Sequence, residues 1–117
     1  MITTLINLDP TVIVITRHTK VPHFGGFQWD DDDLDPITVR LYLFATHSMR
    51  EVNIEEGEIK TVTVGLLAQP DADIVVGHDS YDTFPHDGRT YRIVGVRTYD
   101  SLDLGVMACK QADCVVV

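Results

Sequence analysis

The densest group of potential metal ligands is an acidic run. Asp30, Asp31, Asp32, Asp33 and Asp35 place five carboxylates within six positions, and hard cations such as calcium take oxygen ligands of this kind. The spacing does not fit the helix–loop–helix calcium loop. Counted from Asp30, the sixth position, where glycine is needed, is Asp35, and the twelfth, where glutamate is needed, is Leu41. Adjacent carboxylates also repel one another and cannot all face one ion. The run is expected to be a solvated acidic segment. The five histidines, His18, His23, His47, His78 and His86, include no H-x-H or H-x-x-x-H pair. The sequence therefore shows no metal-ligand framework, and no metal or cofactor is expected.

Nucleophile chemistry is equally poorly supported. Ser48, Ser80 and Ser101 are the only serines, and none lies in G-x-S-x-G. Asp79, Ser80 and His86 are close in sequence, whereas acid–base–nucleophile triads are defined by geometry and usually drawn from distant segments. Neither Cys109 nor Cys114 has a neighbouring histidine, and Gly25-Gly26 lacks the pattern of a phosphate-cradling loop. The two cysteines, five positions apart, would point to opposite faces of a straight strand. They read as free thiols of a reducing compartment, with a disulfide open only if the chain turns between them. No residue pattern asks for an enzyme.

The elements that would position these residues are strands. Residues 11–16 (T-V-I-V-I-T) are wholly β-branched and follow an Asp-Pro turn. Residues 37–44 alternate, with Ile37, Val39, Leu41 and Leu43 on one face. Residues 58–67 form a third run carrying Val62, Val64 and Leu66 on one face, and Gly65 inside it signals a bulge or a close backbone approach. A short run covers 74–76. Asp87-Gly88 is a strong turn signal opening a long strand at 89–99, in which Gly95 marks a bulge or corner. A sixth strand is expected at 104–110 after a hairpin-length link at 100–103. About six strands in one domain of 117 residues, with no convincing helix, predict an all-β fold, a small antiparallel β-barrel or sandwich.

Composition narrows the function. Hydrophobic residues make up 44% and charged residues 23%, enough apolar material for a core, and no apolar run is long enough for a membrane span. The first seven residues lack the features of a signal peptide, so a cytosolic protein, or a particle component built in the cytosol, is expected. Nine Lys and Arg against 18 Asp and Glu give a net charge of −9, which argues against a phosphate-gripping protein.

Two segments read as long loops, and long loops in a compact domain usually act or bind. The first, residues 20–36, holds Phe24, Gly25, Gly26, Phe27 and Trp29 ahead of Asp30, Asp31, Asp32 and Asp33. Its aromatics suit either a protein–protein anchor or a lid folded onto the barrel end. The second is Thr46-His47-Ser48-Met49-Arg50-Glu51-Val52-Asn53-Ile54-Glu55-Glu56-Gly57-Glu58, in which residues 52–56 could also form a turn of helix.

The order of these pieces resembles the phage head-closure proteins, also called head–tail adaptor or stopper proteins, across residues 11–110. The resemblance lies in a first strand followed by a loop with Gly25, Gly26 and Trp29, the strand at 37–46, the long polar loop at 46–58 and the strand at 59–67. Its most motif-like part runs from Ser80 to Val96 and ends in Gly88-Arg89-Thr90-Tyr91-Arg92-Ile93-Val94-Gly95-Val96, similar to the family's G-R-x-Y-x-I-x-G-V strand. The resemblance implies a small β-barrel that forms a homo-oligomeric ring beneath the portal and adaptor, closes the DNA-filled head and offers the tail a docking surface. It implies a place in the virion neck, with assembly in the host cytoplasm. By position, the loop from Thr46 to Glu58 would project into the channel and gate it. Its residues suit that task. Glu51, Glu55, Glu56 and Glu58 would repel phosphate over about 8–10 Å at physiological salt, so DNA would pass without specific binding. Met49, Val52 and Ile54 would pack loop against loop in a shut gate. The alternatives are a related tail-completion or head–tail joining protein, or a small ligand- or metal-binding β-barrel centred on His78, Asp79 and His86.

Overall fold

The computed structural model describes residues 6–7, 9–43, 50–55, 58–99 and 108–117, with the backbone alone at 43, 50–55 and 58–60. Ten strands are present among the described residues: β1 (Thr11–Ile13), β2 (Thr16–His23), β3 (Gly26–Asp33), β4 (Ile37–Leu43), β5 (Arg50–Glu55), β6 (Glu58–Val62), β7 (Val64–Ala68), β8 (Ser80–His86), β9 (Arg89–Tyr99) and β10 (Cys109–Val116). The architecture is all-β and antiparallel, as expected. Eight strands form one sheet in the order β1-β4-β7-β10-β9-β8-β2-β3, and β5 and β6 form a separate hairpin.

The sheet curls because of its first segment. β1 pairs with β4 near one end of the order, and β2 pairs with β8 near the other. Only Val14 and Ile15 separate β1 from β2 in the chain. The bend between them draws the two ends of the sheet together into a barrel-like wall of six segments: β1/β2, β4, β7, β10, β9 and β8. Inside lie Ile13, Ile15, Val39, Leu66, Phe84, Ile93, Ala112 and Cys114, all nearly inaccessible. Their alternation along the strands gives the wall one apolar and one polar face. Phe84 and Tyr91 stack with centroids 5.5 Å apart and anchor the packing.

The strand count exceeds six because the expected runs at 11–16 and 58–67 each break in two and because β3, β5 and β8 form where no strand is expected. The run at 58–67 splits at Thr63. Val64 and Leu66 enter the core, whereas Val62 packs with Val115 and Val94 in a second cluster. Gly65 meets the close approach that its type suggested: a Cβ there would overlap the ring of Tyr42, its partner across the ladder. Beside Gly95 the register slips, with Asp113 opposite Gly95 and Cys114 opposite Ile93, so Val94 is the extra residue of a bulge.

Other expectations are corrected. Residues 74–76 are not a strand; Ile74 is instead buried against the core from an irregular segment. Residues 80–86 form β8, an element the polar S-Y-D-T-F-P-H run did not announce. The expected link at 100–103 and most of the expected strand at 104–110 lie outside the described residues; the strand in this region is β10, carried by the β-branched end Val115–Val116. Cys109 and Cys114 are free and buried in different clusters, on opposite faces as their spacing implied.

Candidate functional site

Both segments read as long loops contain hairpins. In the first, β2 and β3 pair over their full lengths, from Thr16 opposite Asp33 to His23 opposite Gly26. The turn is Phe24-Gly25, with φ of 42° and 80°. Two successive positive φ values belong to the two-residue turn whose twist matches paired strands. The β8–β9 turn is of the same kind, with Asp87 at 52° and Gly88 at 77°. Phe24, Gly25, Gly26, Phe27, Trp29 and Asp30 to Asp33 are therefore a turn and an edge strand rather than an irregular loop. Aspartate is a poor strand former, and cross-strand partners override that preference here. Thr16 Oγ1 donates to Asp33 Oδ1 at 2.7 Å, and His18 Nδ1 meets Asp31 Oδ1 at 2.6 Å.

All of β3 is exposed. Phe24 is 97% exposed, Phe27 69% and Trp29 45%. These rings do not form a lid over the barrel end. Phe27 carries the Lys20 ammonium 4.2 Å from its centroid, Trp29 meets Tyr81 edge-on at 5.3 Å, and Phe24 meets the His23 ring edge-on at 4.4 Å. Strand alternation sends Asp30 and Asp32 to one face and Asp31 and Asp33 to the other, so the run does not converge on a single point.

The hairpin is pinned to the wall through His18. Its Nδ1 faces Asp31 on β3, and its Nε2 lies 2.8 Å from Thr83 Oγ1 on β8. The ring stacks on Tyr81 at 4.7 Å, and the Arg92 guanidinium covers Tyr81 at 3.8 Å. The order carboxylate–imidazole–hydroxyl is that of an acyl-transfer triad. Thr83, however, is 8% exposed, and its strand is paired on both sides, with β2 and β9. The neighbouring backbone N–H groups are thus committed to ladders and cannot form an oxyanion hole. The arrangement orients the arm instead of exposing a nucleophile.

A second polar group plugs the wall on its inner side. Arg17 donates from Nε and Nη2 to the two carboxylate oxygens of Asp82 at 2.9 and 3.0 Å, and from Nη1 and Nη2 to those of Asp73 at 3.0 Å each. Asp82 is completely buried and also accepts the Val75 backbone N–H at 2.7 Å. Hydrogen bonding to Asp82, then to Asp73, raises the Arg17 pKa further, and the same guanidinium lowers that of Asp73. Asp82 thereby staples the irregular segment before β8 onto the wall. Nothing in the local sequence marked Asp82 as buried. The signal for His18–Asp31 was present: folding the chain at Phe24-Gly25 brings Arg17, His18 and Lys20 opposite Asp32, Asp31 and Trp29.

In the second segment, Thr46, His47, Ser48, Met49, Glu56 and Gly57 lie outside the described residues. Arg50, Glu51, Val52, Asn53, Ile54 and Glu55 form β5, paired with the strand that begins at Glu58. The expected loop, and the turn of helix weighed for 52–56, are replaced over the described residues by a hairpin. Only Thr63 separates its second strand from β7 in the wall. The His78–Asp79–His86 grouping is also corrected. Its members stand at opposite ends of β8, on the order of 20 Å apart at about 3.4 Å per residue.

Compared with known proteins, the chain matches no family model and no curated protein.

Proposed function

We propose that this chain is a structural subunit of the neck of a tailed phage or prophage, part of a ring that closes the DNA-filled head and presents a docking surface to the tail. What supports this is a packed β body with two hairpin arms, β2–β3 and β5–β6. The longest dimension is 50 Å against 32 and 30 Å across. A ring needs two different patches on each subunit that join head to tail, and a stiff wall with projecting ribbons offers them. The β5–β6 arm is the gate. Its sequence carries Glu51, Glu55, Glu56 and Glu58 against Arg50 and Lys60, so it repels DNA phosphate and lets the duplex slide. The work is done by shape and charge, with no catalytic group or cofactor. The partners are further copies of the chain, the portal and adaptor proteins above and the tail proteins below, in the virion neck after assembly in the host cytoplasm.

Mass measurement of the chain alone and after mixing with the portal–adaptor complex tests the joining role. A stable joint complex is expected, and failure to join under assembly conditions overturns it. Deleting residues 51–56 separates gating from joining: the body should still fold and join while particles leak packaged DNA. Normal DNA retention by such particles would remove the gating role.

A further inference from the structure

β3 is an open sheet edge. Among the described residues it pairs with β2 alone, so one side of its eight-residue backbone ladder faces outward. Such edges recruit a further strand unless something prevents it. The side chains of β3 determine which strand it accepts. One face reads Phe27, Trp29, Asp31, Asp33, aromatic and then acidic; the other ends in Asp30 and Asp32. Arg17, the cross-strand neighbour of Asp32, is engaged by Asp82 and Asp73. A second copy of this chain does not suit the edge. Parallel and in register, two β3 edges set aspartate against aspartate, and like charges opposite each other destabilise a pair; antiparallel over their full length, they leave Asp30 to Asp33 opposite Trp29, Gln28, Phe27 and Gly26 with no cation to meet them. Nor does another segment of the chain suit it. Lys and Arg stand at 17, 20, 40, 50, 60, 89, 92, 97 and 110, never adjacent and never two apart, so no strand of this protein presents a basic pair to the acidic one.

We infer that β3 is the docking edge for a basic extended segment of a different protein, which adds to the sheet as an antiparallel strand. Main-chain hydrogen bonds supply affinity in this mode, and alternate side chains supply specificity. The register fixes the partner's pattern. Basic residues fall opposite Asp33 to Asp30, and apolar residues follow opposite Trp29 and Phe27. The aspartates thus have two effects, barring self-association and selecting opposite charge. The inference goes beyond the neck role and does not require it.

The test uses the intact chain and a capped peptide, R-K-R-K-V-T-V, which sets its residues opposite 33 to 27 in turn. Two controls are a scramble of the same composition and the same peptide N-methylated at alternate residues on its pairing edge. Trp29 is the only tryptophan, so its emission reports binding at the edge itself, and hydrogen exchange reports the outward β3 amides. The ordered peptide should bind at least about tenfold more tightly than either control and protect alternate β3 amides. Asp30→Lys with Asp32→Lys should weaken binding by about tenfold or more. Equal binding of all three peptides, unprotected β3 amides, or no binding overturns the inference. If the double variant does not fold, the N-methyl comparison on the unaltered chain decides. No phage component is present, so failure here leaves the neck role standing, and failure to join the portal complex leaves this edge standing.

Discussion

Replacing Arg17 with methionine tests the polar plug directly. The substitution keeps most of the side-chain length and removes the charge, leaving Asp82 fully buried with one backbone N–H as its remaining hydrogen-bond donor among those described above. Breaking a buried ion pair from one side costs about 3–5 kcal/mol, mostly because the stranded charge stays desolvated. The Arg17 side chain is 18% exposed, so water reaches the vacated space and the lower end, about 3 kcal/mol, applies. A chain of this length has a total stability of roughly 6–18 kcal/mol at about 0.05–0.15 kcal/mol per residue. The fold should survive, with a Tm lower by about 12 °C at about 4 °C per kcal/mol. Removing both charges with Arg17→Met and Asp82→Leu leaves the Val75 N–H without its acceptor, at about 1–3 kcal/mol. The double variant should therefore be at least as stable as Arg17→Met alone, a non-additivity expected of groups in contact. Urea unfolding followed by circular dichroism measures both. A loss below about 1 kcal/mol for Arg17→Met, or a double variant less stable than either single one, would refute the account of the plug.

Three further outcomes follow from the same structure. Gly65→Ala drives a methyl group into the Tyr42 ring and should destabilise by about 1–3 kcal/mol in thermal melts, with less effect in a Tyr42→Ala background. Burial, and then the neighbouring Asp113 charge, push the Cys114 thiol up to about 12, and burial raises Cys109 as well. A thiol reagent at pH 8 should therefore react slowly with the native protein and promptly with two thiols once it is unfolded. Asp73 is held below its ordinary value of 3.8 by the Arg17 hydrogen bonds. Its contribution is complete above that value and is lost as pH falls through the lowered one. Asp73 is largely exposed, so Asp73→Asn should cost under about 1 kcal/mol at neutral pH and flatten the acid side of the stability curve.

The wall was legible in the sequence because its cues were local. Alternation in 37–43, the β-branched run at the start and the Asp87-Gly88 turn each point to one answer, and all three recur in the structure. The arms were harder to read. Proline at 22, paired glycines and four aspartates all argue for a loop, and only the pairing of residues 16–19 with 80–83 and with 30–33 overrides them. Strand preference is a context effect, and this context lies some 65 residues away, as the Arg17–Asp82 contact shows. For the same reason Asp82 looked like one more surface carboxylate. Its burial depends on an arginine supplied from β2.

The position of β10 has a consequence for biosynthesis. This strand occupies the middle of the sheet, hydrogen-bonded to β7 on one side and β9 on the other, yet it is made after the nine other strands described. The growing chain holds two half-walls with raw edges until residues 109–116 slot between them. Folding is therefore a late, zipper-like event dominated by distant pairings, which makes it slow and leaves the nascent chain open to aggregation. A stop codon ahead of residue 109 would abolish the body as a whole.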